Sequence, residues 1–272
     1  MQYYSCSPKE MFLSLLCHRH LLLSMVKREI AARYRGSVLG FFWSFVTPLL
    51  MLAVYTFAFS IVFKARWGTS SDSRVEFALV LFAGLLVYNV FAECINRAPN
   101  LILSNVAYVK KVVFPLEILP LVSLGGALFQ MIVSLCVWCV AYYVMFGIPP
   151  VTIFLLPIVL LPYLLLIIGL SWGLASLGTY LRDIGQLIGI ITTMLLFLSP
   201  IFYPITALPE KYRQMLNMNP LSYILEWARG VLIWGQMPDW TMVLIFSVVS
   251  VFIAWLGFAW FQKTRKGFAD VL

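Results

Sequence analysis

The stretch ILPLVSLGGALFQMIVSLCVWCVAYYVMFGIPPVTIFLLPIVLLPYLLLIIGLSWGLASLGTYL, residues 118–181, contains no Asp, Glu, Lys or Arg. A helix needs about 20 predominantly apolar residues to cross the hydrocarbon core of a membrane, so this stretch is long enough for two crossings. Gly147-Ile148-Pro149-Pro150 lies in its middle and supplies a turn that a continuous helix would not tolerate. The stretch therefore predicts a hairpin of two transmembrane helices.

The rest of the chain has the same character, because 62% of its 272 residues are hydrophobic and only 11% are charged. Soluble domains average roughly half apolar and a quarter charged residues. The sequence predicts an all-α integral membrane protein with six transmembrane helices in one domain, residues 36–262, between a cytoplasmic N-terminal segment, 1–35, and a cytoplasmic tail, 263–272. The predicted spans are residues 37–63, 77–92, 118–146, 151–178, 184–203 and 241–261.

The basic residues predict the orientation, because Lys and Arg favour cytoplasmic flanks. With both termini inside, 13 of the 19 basic residues are cytoplasmic and 6 are external, among them Lys211, Arg213 and Arg229. The net charge of +8 then needs no nucleic acid, since this bias and contact with anionic membrane lipid account for it.

Residues 8–33 have a helical pattern but carry too many charges to cross the membrane. Met11, Leu22, Val26 and Ile30 belong to one apolar face, which predicts an amphipathic helix lying in the inner membrane surface. On that face Arg33 is expected to extend towards lipid headgroups. The alternative is a helix packed on the protein's own spans.

Several functional classes fit the sequence poorly. The predicted span interiors carry no ionisable residue of the kind that a proton or ion relay uses. No phosphate-binding G-x-x-x-x-G-K-[ST] loop occurs, so nucleotide hydrolysis requires another subunit. Cys136 and Cys139 could form a redox or metal pair, but no His lies near them in the sequence, and buried packing is the alternative.

Two spans carry candidate residues for a substrate path. Phe41, Phe45, Tyr55 and Phe59 fall on one face of the first span, where aromatic rings can stack on the apolar faces of sugar rings. Contact with lipid or with other helices is the alternative for this stripe. Gln186 and Thr193 share a polar face of the fifth span, and such a face in an apolar helix tends to contact protein or water.

Two stretches between spans complete the pattern. Pro99 can begin a cytoplasmic helix with an apolar face suited to docking a partner. The docking candidates on this segment are Asn100, Ile102, Val106, Val109, Lys110 and Lys111. Residues 204–240 are rich in apolar and aromatic residues but are broken by Pro and Gly, which predicts short re-entrant helices on the external side.

In the order of its motifs along the chain, the sequence resembles the permeases of type-2 ABC transporters that export lipid-linked polysaccharides such as O-antigen, capsule and teichoic acid. The resemblance covers nearly the whole chain. The residues that carry it are Arg33-Tyr34-Arg35-Gly36-Ser37-Val38-Leu39-Gly40, Trp43, Pro48, Asn100-Leu101-Ile102, Lys110-Lys111, Phe114-Pro115, Leu119-Pro120, Arg182-Asp183, Ser199-Pro200-Ile201-Phe202-Tyr203, Leu208-Pro209 and Asn219-Pro220-Leu221.

The resemblance implies a homodimer in the bacterial inner membrane, bound to two copies of a separate cytoplasmic ABC ATPase. ATP and Mg would be bound by that ATPase, and this chain would bind no cofactor or metal and carry no catalytic residue. The segment from Asn100 to Lys111 would gate the cytoplasmic opening and contact the ATPase. Two other functions remain open: a type-2 permease for a small lipid or drug, and a membrane-embedded enzyme that processes lipids or glycans.

The topology can be tested with reporter fusions. We expect a fusion after Leu272 to report a cytoplasmic location and a probe near Lys211 to react with external reagents, because basic residues are retained inside. External activity of the Leu272 fusion, or protection of the Lys211 probe, would contradict the six-span topology.

Overall fold

A computed structural model describes residues 7–58, 74–110 and 114–272, and all regular secondary structure in these ranges is helical. The predicted candidates Phe59 and Lys111 lie outside the described residues. The helices are α1 (Pro8–Cys17), α2 (Arg19–Tyr34), α3 (Trp43–Tyr55), α4 (Arg74–Arg97), α5 (Val106–Lys110), α6 (Leu119–Phe146), α7 (Leu156–Tyr180), α8 (Ile184–Leu198), α9 (Glu210–Asn217), α10 (Pro220–Arg229), α11 (Trp240–Thr264) and α12 (Phe268–Val271).

Five of the described helical segments are long and apolar enough to cross a membrane. They are Gly40–Ala58, Glu76–Asn100, Leu116–Phe146, Val151–Tyr180 and Trp240–Val271. The predicted span at 184–203 is shorter than expected, because α8 has only 15 residues and ends before Pro200. A sixth crossing therefore stays a prediction.

The helical hairpin predicted from residues 118–181 is confirmed. α6 ends at Phe146, where Gly147 adopts a φ of 87° that residues with a side chain rarely adopt. A short 3-10 turn, Val151–Leu155, then leads into α7. The Gly-Pro sequence thus ends one crossing and begins the next.

Glycines bring the backbones of α7 and α11 into contact. A Cβ atom added to Gly257 would lie 2.0 Å from the carbonyl oxygen of Gly169, and one added to Gly169 would lie 2.6 Å from the Cα of Ala254. Close approach through small residues is a principal way to join helices in lipid, where the hydrophobic effect no longer favours helix pairing. Beside this contact the rings of Trp172 and Phe258 meet edge to face, with centroids 5.2 Å apart.

The N-terminal segment forms two helices where the sequence predicted one. The break lies at His18, the cap residue between α1 and α2. Val26 of α2 packs against Gly125 of α6, where an added Cβ would lie 2.5 Å from its Cγ2 atom. Phe12 and Leu23 remain exposed. The segment thus packs on the protein's own span through one face and leaves apolar side chains facing outward, as an interfacial helix requires.

The region predicted to be re-entrant, residues 204–240, is joined to the bundle at the break after α8. Asn219 caps α10 by accepting a hydrogen bond from the backbone of Leu221, and its Nδ2 donates to Ser199 Oγ over 3.0 Å. The Ser199-Pro200 and Asn219-Pro220 motifs, separated in sequence, therefore lie side by side.

Arg229 at the end of α10 completes this junction and is fully buried. Its Nε donates to the carbonyl oxygen of Val80 in α4 over 3.2 Å, and its two Nη atoms donate to the carbonyls of Pro200 (2.5 Å) and Ile201 (2.8 Å). Gly84 leaves room for the guanidinium, since an added Cβ would lie 2.5 Å from Nη2. The sequence analysis assigned Arg229 to the external basic residues. In the structure its side chain is buried within the protein instead.

Replacing Arg229 tests this junction. We expect Arg229→Leu to lower the free energy of unfolding by about 3 kcal/mol or more, because the buried carbonyls of Pro200 and Ile201 lose their donor and the link to Val80 is lost. Arg229→Lys is expected to recover only part of the loss, since one ammonium group lacks the planar fork of donors. Thermal unfolding of the purified protein is the measurement.

The matched control is Lys211→Leu, which removes an exposed positive charge from the neighbouring helix α9. An Arg229→Leu protein that unfolds at the same temperature as this control would show that the junction does not depend on the guanidinium.

Candidate substrate path and coupling surface

The aromatic stripe predicted on the first span divides into two parts. The ring of Phe41 lies 5.8 Å from those of Tyr34 and Phe45 and 5.5 Å from that of Phe129 on α6, so these rings form a cluster beside α2. Tyr55, farther along the same helix, lines a separate cavity between α3, α4 and α6. The stripe therefore contributes both to helix packing and to a cavity wall.

That cavity, which we call the α3–α4–α6 cavity, has a volume of about 240 Å³. The polar side chains on its wall include Thr47, Asn89, Gln130 and Ser134. The sequence analysis missed Asn89 and Gln130. Both could have been found from the sequence, because each is an amide side chain near the middle of an otherwise apolar span.

Gln130 is held in a fixed orientation by neighbours from two other helices. Its Oε1 accepts a hydrogen bond from the Tyr34 hydroxyl over 3.0 Å, and its Nε2 donates to the carbonyl oxygen of Ser44 over 3.2 Å. The start of α3 and the end of α2 are thereby fixed to α6.

The residues of the polar face predicted on α8 are exposed, whereas a neighbouring threonine points into the bundle. Gln186 and Thr193 are exposed, and the Thr193 hydroxyl donates to the carbonyl of Gly189 on its own helix. The adjacent Thr192 packs inward and donates to Asn96 Oδ1 over 2.9 Å, while its carbonyl accepts a hydrogen bond from Tyr88 of α4. Gln186 and Thr193 therefore lie away from the α3–α4–α6 cavity, on an outward face of the single chain.

Four charged side chains join α2 to the end of α4, and we call them the cytoplasmic ion-pair network, after the side on which the distribution of basic residues predicts them. Arg33 pairs with Glu93, Arg97 lies 2.5 Å from Glu29 and 3.5 Å from Glu93, and Arg33 lies 3.9 Å from Glu29. Arg33 is thus bound to protein carboxylates instead of extending towards lipid headgroups as predicted. The sequence analysis did not identify Glu93 as a partner of these arginines.

The coupling segment that begins at Pro99 is less regular than predicted. It forms the 3-10 turns Ala98–Asn100 and Leu103–Asn105 and then the short helix α5. Pro99 packs against α7 at Gly178, where an added Cβ would lie 2.2 Å from the Pro99 carbonyl oxygen. That close contact holds the first turn against the span and explains why a single continuous helix does not form here.

The predicted coupling residues take different positions on this segment. Ile102 is fully buried within the chain, and Val106 and Val109 are half-buried. The exposed residues recur at helical spacing and form an outward face, the coupling face: Asn100, Ser104, Ala107 and Lys110. Asn100 also lines a polar cavity of about 280 Å³ beside the cytoplasmic ion-pair network.

The C-terminal segment is fastened to the same side of the bundle. Arg265 lies 2.6 Å from Glu117 and donates to the Phe114 carbonyl, and Ser14 of α1 donates to Glu117 over 2.9 Å. Phe268 of α12 is fully buried. The N-terminal helices, the α5–α6 connection and the C-terminus therefore form one connected layer at this end of the bundle.

The described residues contain no group of three or more His, Cys, Asp or Glu side chains that could hold a metal ion. Cys136 and Cys139 are free thiols.

Comparison with known proteins agrees with this architecture. The family described as ABC-2 type transporter matches residues 20–233. The O-antigen export system permease protein RfbA of Myxococcus xanthus is 28% identical over 255 residues, which cover 93% of this chain and 95% of that protein. A protein of the same name from Klebsiella pneumoniae is 26% identical, with the same coverage. The capsule polysaccharide export inner-membrane protein CtrC of Neisseria meningitidis serogroup B is 25% identical over 93% of this chain and 94% of that protein. The apolar helical bundle and the family match over most of its length together show that this chain belongs to the ABC-2 type transporter family.

Proposed function

We propose that this chain is the channel subunit of an ATP-driven exporter that carries a lipid-linked polysaccharide of the O-antigen or capsule type out across the inner membrane. The observation that carries the proposal is similarity over 93% of the chain to permeases named for export of O-antigen and capsule polysaccharide. The aromatic and amide side chains between α3, α4 and α6 support it, because they suit an uncharged hydroxylated ligand.

The working assembly in this proposal is a homodimer with two copies of a cytoplasmic ABC ATPase. The first span is the least covered by its own chain, with 17% of its apolar window buried against 83% for the span built on α4. Together with the outward face of α8, it offers a surface for the second copy. The path for the polysaccharide would then run between the two subunits.

The ATPase supplies the energy, with ATP and Mg bound on that subunit. We infer that it docks on the coupling face, because this face is exposed and lies on segments tied to α2, α4 and α7. Arg28 of α2 donates to the Tyr108 hydroxyl over 2.5 Å, so movement of α5 would reach the N-terminal helices directly.

Export is tested in cells that make a lipid-linked polysaccharide but lack their own permease. We expect this chain and its ATPase together to restore polysaccharide on the cell surface, and this chain alone to restore none, since it has no phosphate-binding loop. The control is the same pair with the phosphate-loop lysine of the ATPase changed to alanine. Export by this chain without an active ATPase would refute the assignment.

Docking is tested on the coupling face. We expect Ala107→Asp to reduce co-purification of the ATPase, because it puts a charge on an exposed position of that face. The control is Ser24→Asp, which adds the same charge to an exposed position of α2. Equal ATPase recovery with both folded variants would remove α5 from the interface.

A further inference from the structure

The α3–α4–α6 cavity combines features that point to a particular ligand chemistry. Asn89 is exposed although both of its neighbours in α4, Tyr88 and Val90, are buried. It lies near the middle of the span Glu76–Asn100 and makes no hydrogen bond to any described residue. A polar side chain near the middle of an apolar span is costly where it faces lipid, so such residues face protein, water or a polar ligand. The side chain of Asn89 lies on the wall of this cavity, which indicates a polar ligand or water there.

The cavity wall combines aromatic rings with neutral polar groups. Trp43 and Tyr55 contribute rings from α3, while Asn89, Gln130, Thr47 and Ser134 supply amide and hydroxyl groups. Gln130 uses one donor and one acceptor in its hydrogen bonds to Ser44 and Tyr34, so its amide has a further donor and lone pair to offer. Aromatic surface together with neutral donors and acceptors matches a sugar ring, which has apolar faces and hydroxyl edges.

Charge and size restrict the ligand further. Among the described residues that line this cavity, none is Asp, Glu, Lys or Arg, which disfavours phosphate groups and ions. Its volume of about 240 Å³ is below the roughly 300–1,000 Å³ of pockets for drug-sized ligands. The space suits one sugar ring and is too small for a chain of several.

The cavity also has a polar connection to the cytoplasmic side. A smaller space of about 40 Å³ shares Asn89, Gln130 and Ser134 with it and reaches Glu93 of the cytoplasmic ion-pair network. Neutral polar groups therefore continue from the α2–α4 junction into the middle of the bundle.

We propose that the α3–α4–α6 cavity is a subsite that holds one neutral sugar ring of the polysaccharide during export, with Asn89 as its principal hydrogen-bonding residue and Trp43 and Tyr55 as its stacking surface. The inference rests on the proposed function and adds a location and a set of residues to it.

The initial rate of export tests the subsite in cells carrying the complete exporter. We expect Asn89→Leu, which keeps the volume but removes the hydrogen bonds, to slow export about three- to tenfold. Asn89→Ser, which keeps a hydroxyl, should export faster than Asn89→Leu. The control Ser247→Leu changes a polar residue of α11 outside the cavity and should leave the rate near that of the wild type.

The stacking surface has its own matched pair. Trp43→Leu should slow export to a similar degree, while Phe57→Leu, which removes an exposed ring from the same span outside the cavity, should not. Membrane abundance and recovery of the ATPase are measured for every variant, so that export is compared only between assembled complexes.

Occupancy is tested by labelling Thr47→Cys with a small water-soluble thiol reagent, after the native cysteines are changed to serine. We expect labelling in cells without lipid-linked polysaccharide and slower labelling in cells that make it. A site that is never labelled would show a cavity filled by lipid or closed to water, and labelling that is indifferent to polysaccharide would show water alone. Either result overturns the subsite.

The outcomes separate the two proposals. If the wild-type complex exports polysaccharide and the Asn89→Leu complex exports it at the same rate, the subsite is overturned and the exporter assignment stays intact. Failure of the wild-type complex to export any polysaccharide overturns the assignment, and the subsite with it.

Discussion

The guanidinium of Arg229 is the interaction on which the junction of α4, α8 and α10 depends. α8 ends at Leu198 after 15 residues, and the chain that follows must expose carbonyl groups that no helix satisfies. In a region with little water each such group requires a donor from the protein. Arg229 supplies donors to the carbonyls of Pro200 and Ile201 and is itself held by α4 through Val80. The break after α8, the helix α10 and the span built on α4, which has the largest buried share of the five described spans, therefore form one unit.

A different solution holds the opposite end of the bundle together. There α2 is joined to α4 by two arginines and two glutamates in alternation, and these charged groups are partly exposed. Single exposed ion pairs contribute little, about 0–1 kcal/mol, but a network fixes relative orientation. These pairs can therefore be rearranged at modest cost, whereas the pair of Glu117 with Arg265 on the neighbouring connection is nearly buried and is costly to break. The network suits the side on which the proposed ATPase would act, and the buried junction at Arg229 suits a part that moves as a rigid body.

Membership of the ABC-2 type transporter family makes this a multi-pass inner-membrane protein whose family works with an ATPase partner. The functional surfaces discussed above lie between helices that are distant in sequence. The α3–α4–α6 cavity needs Thr47, Asn89 and Gln130 from three helices, and the coupling face needs Pro99 packed on Gly178 of α7. Glycine positions decide these approaches, because a single Cβ at Gly125 or Gly178 would displace the element that packs there.

The sequence by itself determined the features that depend on local composition. Apolar length predicted the membrane spans, and Gly147 with the two prolines predicted the hairpin, because a helix needs a fixed number of residues to cross and ends where its backbone cannot continue. The order of motifs along the chain also indicated the family, which the match over residues 20–233 confirmed. Only the tertiary structure decided which polar residue meets which partner. Arg33 meets a carboxylate, Arg229 is buried, Ile102 faces inward, and Asn89 faces a cavity. Each of these depends on the rotation of a helix about its axis and on the close packing of a neighbour, and neither is encoded in the periodicity of a single segment.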